Sequence, residues 1–271
     1  MTTPEAARLT AISRNRHLTD PEAPSMIEPL AVVSGGTRGI GFALSRRLLK
    51  LGHRVVAFYR SDSAAAASAE RELGAGFVAV RADIADPDSI DQAVGDILAR
   101  HGVPRVLVNN AGVNIDKPFL EMTRDDWRQV IDTNLSGVFW LTRALAQQML
   151  EADDPVIVNI GATTGIRPRT CGANYCASKA GLLQLTKCLA LELAPRIRVN
   201  CLIPGMTETD ELVGRFHLTD PQARSQVLEE IPQRRIAQRD DIADALEYLV
   251  GPHSAYVTGQ KLIVDGGQFM W

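Results

Sequence analysis

The sequence has little cysteine, no long apolar run and no excess of positive charge, and each shortage removes a class of function. Its four cysteines, Cys171, Cys176, Cys188 and Cys201, form no C-x-x-C pair and have no histidines spaced for zinc around them. A disulfide framework or a metal site is therefore not expected, and the thiols read as reduced, as they are in a cytoplasmic protein. No stretch approaches the ~20 apolar residues that span a bilayer. The first 25 residues mix charge with proline and lack the apolar centre of a secretory signal. A net charge of −3 gives neither nucleic acid nor an anionic membrane an electrostatic footing as the main partner.

What is present suits a large buried core, with 45% hydrophobic and 23% charged residues among 271. Residues 1–28 read as a polar, flexible extension and 29–271 as one domain. Strands are expected at 30–34, 54–59, 76–80, 105–110, 156–160, 197–202 and 261–265, as near-continuous apolar runs that suit parallel strands covered on both faces. Helical stripes alternate with them, among them GFALSRRLLKLG, SIDQAVGDILARHG, WRQVIDTNLSGVFWLTRALAQQML and SKAGLLQLTKCLALEL. Gly52 fits the position after the first helix, and Asp88 or Ser89 can cap the helix near Pro87. This alternation predicts an α/β fold, a Rossmann-type doubly wound parallel sheet of about seven strands flanked by helices. Met206–Arg235 interrupts the rhythm and reads either as a helical excursion over the C-terminal edge of the sheet or as a mobile insertion.

SGGTRGIG, residues 34–41, joins the first strand to the first helix. Gly35, Gly39 and Gly41 follow G-x3-G-x-G rather than G-x-G-x-x-G, but the physical logic is shared. Glycine lets the backbone turn sharply and approach a pyrophosphate, and the helix N-terminus supplies N–H donors. With VNNAG (108–112), DTNLSG (132–137), YCASK (175–179) and NCLIPGMTET (200–209), the turn resembles the motif series of the short-chain dehydrogenases/reductases, in order and approximate spacing. The 3-oxoacyl carrier-protein reductase group is the nearest pattern. The resemblance runs from about residue 30 to VDGGQ near the C-terminus.

The resemblance implies a nicotinamide cofactor held by Gly35, Thr37, Arg38, Gly39, Ile40 and Gly41. Asp83 and Ile84 would flank the adenine. Asn110, Ala111 and Gly112 would line the cofactor, and Pro204, Gly205, Thr207 and Thr209 would reach the nicotinamide end. The second strand ends in Phe58-Tyr59-Arg60, with no carboxylate until Asp62 to meet the adenosine ribose. Arg60 and Arg38 can instead pair with a 2′-phosphate, so NADP(H) is the expected cofactor.

Tyr175 and Lys179, four apart on a helical pattern, share one face. A carbonyl that accepts hydride needs a proton, and a phenol beside an ammonium can give one. By resemblance Lys179 also binds the nicotinamide ribose, and Asn134 holds a water in the proton relay. The family places a serine thirteen residues before the tyrosine and three before a glycine. Here both counts reach Ala162, with Thr163 as a substitute donor.

The expected activity is NADPH-dependent reduction of a ketone or 3-oxoacyl group on a small or carrier-bound substrate. The alternative is an impaired NADP(H)-binding scaffold or sensor, against which Tyr175, Lys179 and Asn134 argue. An enoyl reductase fits less well, because such proteins space tyrosine and lysine more widely. The resemblance further implies a homotetramer or homodimer packed through helices near 127–150 and 175–194, although those faces can also be covered within one chain. Substrate selection is expected from Val113–Phe119, Thr163–Asn174 and Met206–Arg235.

Overall fold

The computed structural model describes residues 28–270, so the expected extension lies, apart from Glu28, outside the described residues. Seven strands form one sheet: β1 (Leu30–Ser34), β2 (Arg54–Tyr59), β3 (Phe77–Arg81), β4 (Pro104–Asn109), β5 (Val156–Ile160), β6 (Arg198–Pro204) and β7 (Lys261–Val264). Their order is β3-β2-β1-β4-β5-β6-β7 and every pair is parallel. The chain winds outward from β1 in one direction, then returns to add β4 on the other side. Strand direction and winding leave a crevice at the carboxyl ends of β1 and β4.

Alternation along the strands builds two cores. Ala31, Val33, Val156, Val158 and Ile160 face one layer with α1 (Gly39–Lys50) and α9 (Arg239–Val250). Leu30, Val32, Leu107 and Ile157 face the other, against α3 (Pro87–His101), α5 (Gly137–Met149) and α6 (Ala173–Leu193). Because both faces are covered, the strands show no polar alternation, as the sequence pattern requires. The remaining helices are α2 (Ser63–Leu73), α4 (Arg124–Ile131), α7 (Asp210–Arg215) and α8 (Pro221–Glu230). The last two lie in the Met206–Arg235 excursion, which packs a small core of Leu218 and Ile231 with Ile236 just beyond it. It is a packed helical cover.

Two local details differ from the sequence expectation. Asp86, not Asp88 or Ser89, caps α3, its carboxylate accepting from Asp88 N–H with Pro87 in the first turn. Ser89 is drawn away because its hydroxyl accepts from Asp83 N–H. The helix expected across 127–150 is also interrupted by a π-helical turn, Asp132–Ser136, in which Gly137 N–H reaches back to Asp132 O. Such a turn inserts one residue into the helical ladder and rotates the side chains around it. It carries Asn134 inward, and Gly137 lets the turn approach the sheet.

A Cβ at Gly137 would lie 2.3 Å from Ile84 O, whereas one at Gly95, in α3, would meet nothing within 4 Å. Gly137→Ala should therefore cost about 1–3 kcal/mol and lower the melting temperature. Gly95→Ala should raise stability by about 0.5–1 kcal/mol, through helix propensity alone. Thermal unfolding of the two variants side by side checks the pair, and equal shifts would refute the packing argument.

Candidate active site

Ser34 ends β1 at the crevice and anchors the loops on either side of it. Its hydroxyl accepts from the N–H groups of Asn110 and Ala111, at 3.0 and 3.1 Å. Asn110 Nδ2 returns bonds to the carbonyls of Ser34 and Gly35, both at 3.0 Å. The loops after β1 and β4 are thus clamped together. Gly41 is required for this approach, since a Cβ there would lie 2.1 Å from Gly35 O. Gly39 begins α1 at φ +57°, a conformation that favours glycine. The result is a cradle of backbone at a helix N-terminus, of a shape that fits a pyrophosphate.

The other expected cofactor residues ring this cradle to different degrees. Arg38 and Arg60 are exposed and have no acceptor or ion-pair partner among the described residues, so both guanidiniums are available to a phosphate. Thr37 is buried and Ile40 packs partly on the core. Asp83 Oδ1 accepts from Ala85 N–H at 3.0 Å, and the Ile84 side chain lies in the core, so only the backbone of Ile84 can border a ligand. Ala111 and Gly112 continue the clamp. A Cβ at Gly112 would come within 3.3 Å of Asn134 Oδ1 and 3.8 Å of Lys179 Nζ, so the cradle abuts the catalytic candidates. On the far side Pro204 closes β6 and Gly205 packs on Asp265. Thr207 donates to Gly205 O at 3.1 Å, and Thr209 caps α7 while its methyl group reaches the glycine turn.

Tyr175 and Lys179 occupy one face of α6, with the ammonium 5.8 Å from the centre of the phenol ring. Lys179 is buried and donates to Ile160 O at 2.8 Å. Burial lowers its pKa to about 8, which still leaves it charged at neutrality. The phenol is held in its protonated form: the pKa of Tyr175 is raised to about 12. Burial is the main cause and Glu211 adds to it, opposed by Arg169 and Arg215. A phenol held protonated is suited to give a proton to an alkoxide. Asn134, carried inward by the π turn, accepts from Val113 N–H at 2.8 Å and donates to Val113 O at 2.9 Å and Ser178 Oγ at 3.2 Å. Its side chain is thereby largely committed to protein.

Ala162 ends the extended chain after β5 and accepts, through its carbonyl, from Gly165 N–H at 3.0 Å. Thr163 opens the short 3-10 turn after it and its hydroxyl bonds no described residue, while the Thr164 hydroxyl is buried without a partner. Three charged residues that the sequence pattern did not single out complete the surroundings. Asp116 binds Arg169 at 2.6 Å and also Arg215, and the Arg169 guanidinium lies 5.7 Å from the Tyr175 ring centre. They come from the loops after β4 and β5 and from α7, so no sequence spacing links them. A further set is buried beneath the site. Asn109 donates to Thr142 and Asn159, and Asn159 donates to Thr186. Asparagines inside otherwise apolar strands were the available signal. Among the described residues no group of three or more His, Cys, Asp or Glu could hold a metal, and no helix is long and apolar enough to cross a membrane.

Residues 35–268 match a family model described as enoyl-(acyl carrier protein) reductase. The chain is 38% identical over 247 residues to 3-oxoacyl-[acyl-carrier-protein] reductase of Synechocystis sp., covering 89% of this chain and 97% of that protein. It is 37% identical over 242 residues to 3-oxoacyl-[acyl-carrier-protein] reductase FabG of Escherichia coli, with the same coverage of both chains. A short-chain dehydrogenase/reductase structure from Brucella melitensis superposes with a TM-score of 0.84 at 28% identity, covering 90% of this chain and 98% of that one.

The buried lysine makes stability depend on pH. An unfolded lysine keeps its proton up to its ordinary value of 10.5, whereas folded Lys179 releases it near 8. Between those values the unfolded chain binds more protons, so raising pH from 8 towards 10.5 favours the folded state. Lys179→Met removes that contribution. Its melting temperature should exceed that of the unsubstituted protein at pH 7, and the difference should shrink as pH passes through this window. A constant difference would show that burial does not depress Lys179.

Proposed function

Because the chain belongs to the short-chain dehydrogenase/reductase family, it is an oxidoreductase acting on a carbonyl or hydroxyl group, and we propose that it reduces 3-oxoacyl or related ketone substrates with NADPH. The observation that carries this reading is the pairing of a half-buried, protonated Tyr175 with Lys179 beside a glycine cradle that abuts them. A dihydronicotinamide bound in the cradle supplies hydride. Tyr175 gives the proton, Lys179 binds the ribose and carries the proton path onward, and Asn134 holds that path in shape. Gly35, Gly39, Gly41, Asn110, Ala111 and Gly112 hold the pyrophosphate and adjoining groups, and Pro204 to Thr209 cover the nicotinamide end. Arg38 and Arg60, both exposed and without an ion-pair partner among the described residues, favour a 2′-phosphate and hence NADP(H).

The family model's description names an enoyl reductase, whereas the curated relatives are named 3-oxoacyl reductases. The four-residue spacing of Tyr175 and Lys179 supports the carbonyl reading. Carrier-bound thioesters are the proposed substrate form, and the cytoplasm the proposed location. Trp127, Phe139, Trp140 and Leu191 leave apolar surface exposed on α4, α5 and α6, which supports a homodimer or homotetramer packed through those helices. Sedimentation of the purified protein as a monomer would end that proposal.

Oxidation of NADPH, followed over a panel of ketones and 3-oxoacyl thioesters, tests the activity. Turnover should be present and fall at least a hundredfold in Tyr175→Phe. A protein that binds NADPH but turns over nothing above that variant is instead the scaffold or sensor that a methyl group at position 162 makes conceivable. For the cofactor, Arg60→Ala should weaken NADPH binding by about tenfold or more, the worth of a charge-assisted bond, and leave NADH nearly unchanged. Equal losses for both cofactors would refute the 2′-phosphate assignment.

A further inference from the structure

A carbonyl oxygen that rests on Tyr175 gains negative charge as hydride arrives, and a single hydrogen bond leaves a second lone pair unserved. Ala162, at the position where the family resemblance calls for a hydroxyl, has only a methyl group. Lys179, the nearest cation on α6, donates to Ile160 O at 2.8 Å and is the proposed ribose ligand. The Thr164 hydroxyl is buried. Arg169 differs from all of these. Its guanidinium lies over the Tyr175 ring, 5.7 Å from the centroid, on the loop that leaves β5. Nη2 donates to Asp116 Oδ1 at 2.6 Å and to Asn114 Oδ1 at 3.0 Å, and Nη1 faces Thr170 O at 3.5 Å. Nε–H has no acceptor among the described residues. The group is therefore anchored at one end and free at another.

The anchoring joins the three segments that surround Tyr175. Asp116 comes from the loop after β4, Arg169 from the loop after β5, and Arg215 from the last turn of α7. The first two are also tied by Lys117 N–H, which donates to Cys171 O at 2.9 Å. A cation held this way needs little reorganisation when charge develops beside it, which is the condition under which such a donor is most effective.

We propose that Arg169 is the charged hydrogen-bond donor to the substrate oxygen, a catalytic residue in the place where Ala162 supplies none, and that Asp116 and Arg215 position it. The proposal rests on the reductase reading. In the step, hydride forms a new C–H bond at the carbonyl carbon and the π pair of the C=O bond moves to oxygen. That oxygen takes the Tyr175 proton, and solvent reprotonates the phenolate. The oxidised nicotinamide is the other product. Arg169 keeps its proton throughout and contributes charge alone.

The test is steady-state NADPH oxidation with the best substrate of the panel, together with NADPH binding by fluorescence. Arg169→Met should lower kcat by about a hundredfold or more, as for loss of an oxyanion donor, with NADPH affinity unchanged. Arg169→Lys should keep more activity than Arg169→Met. Adding Ala162→Ser to Arg169→Met should restore kcat at least tenfold. Ultraviolet titration of the cofactor-free protein should show the Tyr175 phenol ionising at higher pH in Arg169→Met, since a cation facing it is gone. Should Arg169→Met fail to fold, Arg169→Gln serves the same comparison. A raised KM with kcat intact would make Arg169 a substrate-binding residue and overturn the proposal. So would a loss that Ala162→Ser does not restore. Turnover absent from the unsubstituted protein would instead overturn the reductase reading beneath it.

Discussion

The buried ammonium of Lys179, donating to the Ile160 carbonyl at the end of β5, is the contact around which the catalytic end of the molecule is arranged. A cation taken out of water is costly unless it is paired or hydrogen-bonded, so this bond fixes both the lysine and the strand end that accepts from it. It sets α6 against the sheet at one depth and rotation. That rotation in turn puts Tyr175, one helical turn earlier, over the crevice. Gly112 and Gly165 have no side chain because the space is taken: a Cβ at Gly165 would lie 2.8 Å from the Lys179 carbonyl carbon.

Beneath the lysine, apolar packing alone would hold the helices to the sheet without specifying their positions closely. Leu and Val side chains fit at more than one depth. The hydrogen-bonded chain from Thr142 through Asn109 and Asn159 to Thr186, and on to Leu182 O, removes that freedom. It ties α5 to β4 and α6 to β5 in a dry interior where an unmade bond is expensive. Cys201 lies against the same group from β6. Burial raises its pKa to about 11, so it stays a neutral thiol and leaves the charge of Lys179 uncompensated. The cation therefore remains available to a ligand.

At the other end of the site the walls come from segments far apart in sequence. The Met206–Arg235 excursion stands over the carboxyl edge of the sheet on a small core of Leu218 and Ile231 with Ile236 just beyond it, and Thr209 at its start reaches the glycine turn. This side of the crevice is therefore a packed wall, pinned to the β4 and β5 loops through Asp116. The charge environment of Tyr175 is set there, by Glu211, Arg169, Arg215 and Asp116 together, more than by the lysine on its own helix.

By itself the sequence determined the winding of the fold, because apolar runs alternating with amphipathic helices have few ways to bury both faces of a sheet. It determined the glycine cradle too, since its requirement is local: backbone must pass where a Cβ cannot, as at Gly41. The Tyr175–Lys179 pair was legible for the same reason, four residues on one helix. Only the tertiary structure decided the state of that pair. Burial and two carboxylates raise the phenol's pKa, and the lysine ammonium donates to the Ile160 carbonyl. The π turn that carries Asn134 inward, the capping of α3 by Asp86 and the meeting of Asp116, Arg169 and Arg215 were likewise hidden. Periodicity reports which side of an element is buried, but not which distant charge faces it, and pKa depends on the latter.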